Sequence, residues 1–179
     1  MKRRALVLAL LLSLSGPLVF ADTQNAVALS SQQLAVLRSN CLSVQSTLQR
    51  IHTNDALSRV YLGQEYEIIS TKLMAPMNSR VALNKLDSVA LTETTVDFNA
   101  ELDTFRALYR DYDQNVARGL AINCRADPGG FYAILVQART GRAKVRASVA
   151  KMQGFVTEYR SHIGQLQSQS VKQGSGGAS

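Results

Sequence analysis

Beyond residue 30, apolar residues recur at alternating steps of three and four, the spacing of one face of an α-helix. Leu34, Leu37, Cys41, Val44, Leu48 and Ile51 draw a continuous seam of the coiled-coil kind. It resumes at Leu62, Tyr66, Ile69 and Leu73. Joining the two runs places Asp55 and Ser58 on the seam, a local change of phase. The pattern predicts one long helix over 30–74 with a polar interruption near Asp55. Ser30 and Gln33 have the spacing of a capping box at its start. Pro76 is expected to end it or kink it sharply, because proline has no N–H and crowds the preceding turn.

A second series, Phe98, Leu102, Phe105, Tyr109, Tyr112, Val116 and Leu120, predicts a helix over 90–122. The stretch from Asn78 to Leu86 reads as a short extra helix between the first two. Asp127-Pro128 has the form of an N-cap followed by proline at the first helical position. From it runs a third seam: Ile134, Ala138, Gly141, Val145, Val149, Met152, Val156, Tyr159, Ile163 and Leu166. Residues 168–179 are Gly/Ser-rich without apolar pattern and are expected to form a disordered tail. No strand-type alternation persists. The expected fold is all-α: an elongated antiparallel up-down-up bundle of three helices with coiled-coil-like packing over 30–167.

The first 21 residues are a separate object. Lys2, Arg3 and Arg4 precede an apolar run from Ala5 to Leu12, broken by Gly16-Pro17 and followed by Val19-Phe20-Ala21. This is the layout of a secretory signal peptide, with Asp22 as the first mature residue and 22–29 as a short linker. The alternative is an uncleaved anchor, but the run falls short of the ~20 apolar residues of a spanning helix. A secreted or cell-envelope location follows. Charge divides along the chain: residues 22–117 carry 8 basic and 11 acidic side chains, residues 118–179 carry 9 and 2.

An exported chain with two cysteines is read as carrying one disulfide. The helix plan tests that reading. Thirty-four steps lead from Cys41 to Ala75, and thirty-four from Ala90 to Cys124. A hairpin turning between 75 and 90 returns Cys124 to the height of Cys41, so a structural bridge is expected.

The same register brings Asp55 level with Arg110 to Tyr112 and with Arg139 to Arg142. A carboxylate on a helix seam needs a partner, and arginine's planar fork suits one. Asp55, Arg110 and Arg142 are therefore the expected polar core layer. Its role is either to fix helix register or to hold a small ligand. Arg139, Arg142 and Arg146, with Lys144 and Lys151 on a neighbouring stripe, form a basic face that could bind an anionic polymer or nucleic acid. Acidic residues set against that face, Asp111, Asp113, Glu101 and Asp103, offer the alternative of charge pairing between helices. No aromatic ladder interleaves the basic residues.

Chemistry finds little support. His52 and His162 stand roughly 30 Å apart by register and rise, too far to share a metal, and read as surface or boundary residues. Tyr66, Tyr109, Tyr112 and Tyr159 occupy seam positions and read as core. The sequence holds no Cys-x-x-Cys, phosphate loop or Gly-x-Ser-x-Gly. No enzyme activity, metal or cofactor is expected.

The segments Leu57-Ser58-Arg59-Val60, Gly63-Gln64 and Ile69 to Arg80, with Cys124, Phe131-Tyr132 and Ala138-Arg139, resemble a family of small exported helical proteins. That family belongs to candidate-phyla-radiation bacteria such as Saccharibacteria. The resemblance covers most of residues 40–165 and implies an envelope or surface location, with no catalytic or binding residue to carry over. The expected function is a non-enzymatic structural or protein-interaction role at the cell envelope, its partner an envelope or surface protein. The alternative is a binding module for anionic polymers.

Overall fold

The computed structural model describes residues 29–175, with side chains as far as 169. The signal segment 1–21 and its cleavage site lie outside the described residues. Among the described residues every regular element is helical: α1 (Ser31–Ile68), a π turn (Ile69–Met74), α2 (Ala75–Leu83), α3 (Val89–Ala121) and α4 (Pro128–Ser175). α1, the π turn and α2 follow without a break, so the chain makes three long helical segments. α4 continues through 168–175, where the Gly/Ser-rich composition led us to expect a disordered tail.

The capping box at the start of α1 is complete. Ser30 Oγ accepts from the Gln33 N–H at 3.2 Å, and Gln33 Oε1 accepts from the Ser30 N–H at 2.8 Å. Pro76 does not end the helical run, which removes one of the two outcomes expected from the sequence. Proline cannot donate to the carbonyl of Lys72, and its ring crowds that group. The preceding turn opens to i→i+5 bonding, with the Ala75 N–H donating to Ser70, and Pro76 then enters the first turn of α2. The extra residue in the turn shifts the seam by one. Leu73, expected inside, is 59% exposed, while Met74 is 2% exposed and fills the core. The short helix expected at 78–86 is α2, which begins three residues earlier, ends at Leu83 and follows the π turn without a break.

α2 closes in a Schellman motif. The Leu86 N–H reaches Val81 O and the Lys85 N–H reaches Ala82 O, with Lys85 in the left-handed region at φ 55°. At the other turn, Asp127 Oδ1 accepts the Gly130 N–H at 2.8 Å and caps α4. Gln45 of α1 reaches across to donate to the carbonyls of Gly119, Leu120 and Ile122 as α3 ends. These carbonyls lack intrahelical donors, so the amide satisfies groups that the helix terminus exposes.

α3 and α4 pack most extensively against each other. Gly141 makes that approach possible at mid-length: a Cβ there would sit 3.3 Å from Tyr112 Cβ. Burial falls into two clusters. One gathers Cys41, Leu48, Tyr109, Tyr112, Val116, Cys124, Phe131 and Ala138. The other gathers Tyr66, Met74, Val81, Leu91, Phe98, Leu102, Phe105, Met152 and Tyr159. Val145 packs against both. Cys41 and Cys124 stand at disulfide distance, with Cα atoms 5.7 Å apart across a sequence separation of 83.

Candidate functional site between the two cores

Asp55 sits where the helical seam loses phase, on α1 between the two clusters. Its carboxylate accepts from the Tyr112 hydroxyl at 2.6 Å and from Arg142 Nη2 at 2.7 Å. One residue from each long helical segment thus meets at one level. The Asp55 side chain is 18% exposed and that of Arg142 39%, so the pair is sheltered on the acid's side and wetter on the base's. Charge-assisted hydrogen bonds of this kind are stronger than neutral ones.

Arg110 does not belong to this layer, a correction to the sequence reading. It lies on the exposed face of α3. Two residues onward, about 200° round the helix, Tyr112 points inward and takes the place assigned to Arg110. Tyr112 was legible as a seam residue level with Asp55, yet a seam tyrosine was read only as packing. Its hydroxyl was the missed signal, since a buried phenol usually finds an acceptor.

Burial first, and then the bond to Asp55, hold the Tyr112 phenol far above its ordinary value. The bond to Asp55 likewise raises the Arg142 guanidinium. Both donors hold their protons at neutral pH, and through them Asp55 joins the three helical segments.

Beside the joint lies a cavity of about 110 Å³, lined in part by Asp55, Arg59, Tyr109, Tyr112, Arg142 and Arg146. Arg59 covers the Tyr109 ring, 4.9 Å from its centroid. The Tyr109 hydroxyl is buried and has no hydrogen-bond partner among the described residues. Burial, followed by the nearby Asp113 charge, raises its pKa as well.

The basic face divides in the structure. Arg142 turns toward Asp55, and Lys151 Nζ lies 3.5 Å from Glu101 Oε2. Arg139, Lys144 and Arg146 are exposed and, among the described residues, pair with no carboxylate. Arg139 and Arg146 share a stripe, whereas Lys144 stands about 140° round from Arg139. Of the four acids expected to answer this face, Glu101 does so through Lys151, while Asp113 and Asp103 bond elsewhere. Asp113 meets His52 at 2.8 Å, and Asp103 meets Arg106 on its own helix. Arg106 also pairs with Glu67 of α1. His162 lies 3.7 Å from Glu158, one turn away.

Among the described residues, no group of three or more His, Cys, Asp or Glu side chains is placed to hold a metal ion. No described helix is long and apolar enough to cross a membrane. Comparison with known proteins adds no relative. No family model, curated protein or solved structure matches this chain.

Proposed function

We propose that this chain is an exported, non-enzymatic helical protein that works through protein contact at the cell envelope. Its three helical segments form an elongated up-down-up bundle with coiled-coil-like packing, clamped by the Cys41–Cys124 pair. The order of cross-helix contacts supports that arrangement. Partners of successive residues of α1, the π turn and α2 descend from the connection after α3 back along α3: Cys41 with Cys124, His52 with Asp113, Asp55 with Tyr112, Ser70 with Asn99, and Asn78 with Thr95. The signal-like N-terminus and the resemblance to exported helical proteins support the location.

The observation that carries a contact role is an apolar stripe on the outer face of α1. Leu57, Val60, Tyr61 and Ile68 are 68%, 49%, 68% and 53% exposed. At 3.6 residues per turn they cover roughly 100° of the helix surface, the width of a face that usually meets a partner. Apolar side chains gathered this way mark interaction sites more often than singly scattered ones do. A partner presenting an apolar helix face fits the stripe.

A photo-cross-linking residue at position 61, activated on intact cells, tests this. A discrete adduct should form, disappear in a Leu57→Ser/Ile68→Ser variant and persist in Arg146→Glu. Loss with Arg146→Glu alone would transfer the function to the alternative, an anionic polymer held by Arg139, Lys144 and Arg146.

A further inference from the structure

The π turn does more than accommodate Pro76. Beside it, between the π turn and α2 on one side and α4 on the other, lies a groove of about 420 Å³. Its apolar surface comes from Ile69, Leu73, Met74, Met77, Val156 and Ile163. Positions 69, 72, 73, 76, 77 and 80 follow one helix face, so the groove extends for about 16 Å along the axis. Leu73 belongs to its wall only because the π turn displaced it from the core by one residue. Helices place π turns disproportionately at functional positions.

The charges around the groove have one sign. Lys72, Arg80 and Arg160 line it, and no carboxylate does. Among the described residues none of the three pairs with an acid. Lys72 and Arg80 stand about 12 Å apart along the helix, with Arg160 on the facing wall. The Tyr159 hydroxyl is already engaged, its one proton directed to Asn78 Oδ1 at 2.7 Å with Met74 O as a second acceptor at 3.1 Å. The groove therefore offers an occupant hydrocarbon along its length and cations at its edges.

We propose that this groove binds a single-chain anionic amphiphile. Its tail lies along the apolar wall and its carboxylate or phosphate head meets Lys72, Arg80 or Arg160. The volume falls within the ~300–1,000 Å³ of small-ligand sites. The uniformly cationic edges select an anionic head, and the apolar length of the groove a hydrocarbon tail. The site is separate from the outer stripe of α1, and neither proposal depends on the other.

Calorimetric titration of the mature chain, with each probe below its micelle threshold, tests the assignment. Dodecanoate should bind one to one. Affinity should rise about fourfold per methylene from octanoate to dodecanoate, the gain expected for each buried CH₂. Dodecyl maltoside, with a neutral head, should bind about tenfold more weakly or worse, as should dodecanoate to an Arg80→Glu/Arg160→Glu variant. Both substitutions are at exposed positions and should leave the circular dichroism unchanged. Met77→Trp should block the groove. Comparison of dodecanoate with a lauroyl lysophosphatidylglycerol identifies the head: preference for either supports the site and names its source. Equal affinity for the neutral amphiphile, indifference to the double charge reversal, or preference for a Glu-rich amphipathic peptide over every amphiphile would overturn the proposal.

Discussion

Around Cys41 and Cys124 the helical segments are tied by chain chemistry, whereas around the π turn they are held by the fit of side chains. At the first end a disulfide joins α1 to the connection after α3, and Gln45 and Arg38 add hydrogen bonds to backbone carbonyls there. At the second, Tyr66 sets its ring edge-on to Phe98 and Phe105, with centroids 6.0 and 6.3 Å away. Ser70 and Asn78 bond across to Asn99 and Thr95 of α3. A cross-link acts largely by restricting the unfolded chain, so it tolerates indifferent packing nearby. The end without one needs larger and better-fitted side chains, and most of the fully buried large residues lie there. That end also carries the π turn and its open groove. Between the two, the Asp55 joint connects all three segments.

Removing the cross-link should have the largest effect. Cys41→Ala/Cys124→Ala is expected to lower unfolding free energy by about 4–5 kcal/mol, the entropic value for so long a loop. Amide exchange should accelerate over 34–48 and 116–138 while 91–105 keeps its protection. Equal acceleration everywhere would show that the two ends are one cooperative unit.

The joint comes next. Asp55→Ala leaves the Tyr112 hydroxyl without its acceptor and frees Arg142, and should cost about 2–3 kcal/mol in urea unfolding. Asp55→Asn keeps an acceptor and should recover part of the loss. If both variants unfold like the parent, the two clusters stand without the joint.

Alkaline pH should expose the buried phenols. Burial is the leading cause of raised values at Tyr66, Tyr109, Tyr112 and Tyr159. The unfolded chain loses these protons from about pH 10 while the folded chain still holds them. Stability contributed by the neutral phenols is therefore complete below pH 10 and falls as pH rises through the folded values. The urea midpoint should drop above pH 10, and less steeply in Tyr112→Phe. A flat midpoint from pH 9 to 12 would contradict this.

The smallest effect is a gain. Lys85 occupies a left-handed position at φ 55° that favours glycine. Lys85→Gly should stabilise the turn by up to about 1 kcal/mol, measured by thermal unfolding. Because α2 belongs to the end without a cross-link, the gain should appear there first in amide exchange.

Much of the helix plan was legible in the chain. The Phe98 to Leu120 seam gave α3 to within a residue or two, since a helix buried along one stripe must repeat its apolar residues at that period. Ser30, Gln33 and Asp127 announced their caps because the side-chain acceptors sit at fixed offsets from the donors they satisfy. Pro76 was legible as a disturbance but not as a π turn. Proline rules out one hydrogen bond, and whether the chain breaks or widens depends on what packs around it. Arg110 failed for a related reason: register along an axis gives height, not the angle at which a side chain faces its neighbours.

The sequence by itself determined where helices form and that the two cysteines stand level, because both follow from local periodicity and rise per residue. Tertiary structure decided which groups share the Asp55 joint, how Leu73 left the core, and where cations gather around an apolar groove. Those outcomes depend on the rotation and close approach of whole helices, which many distant side chains set together.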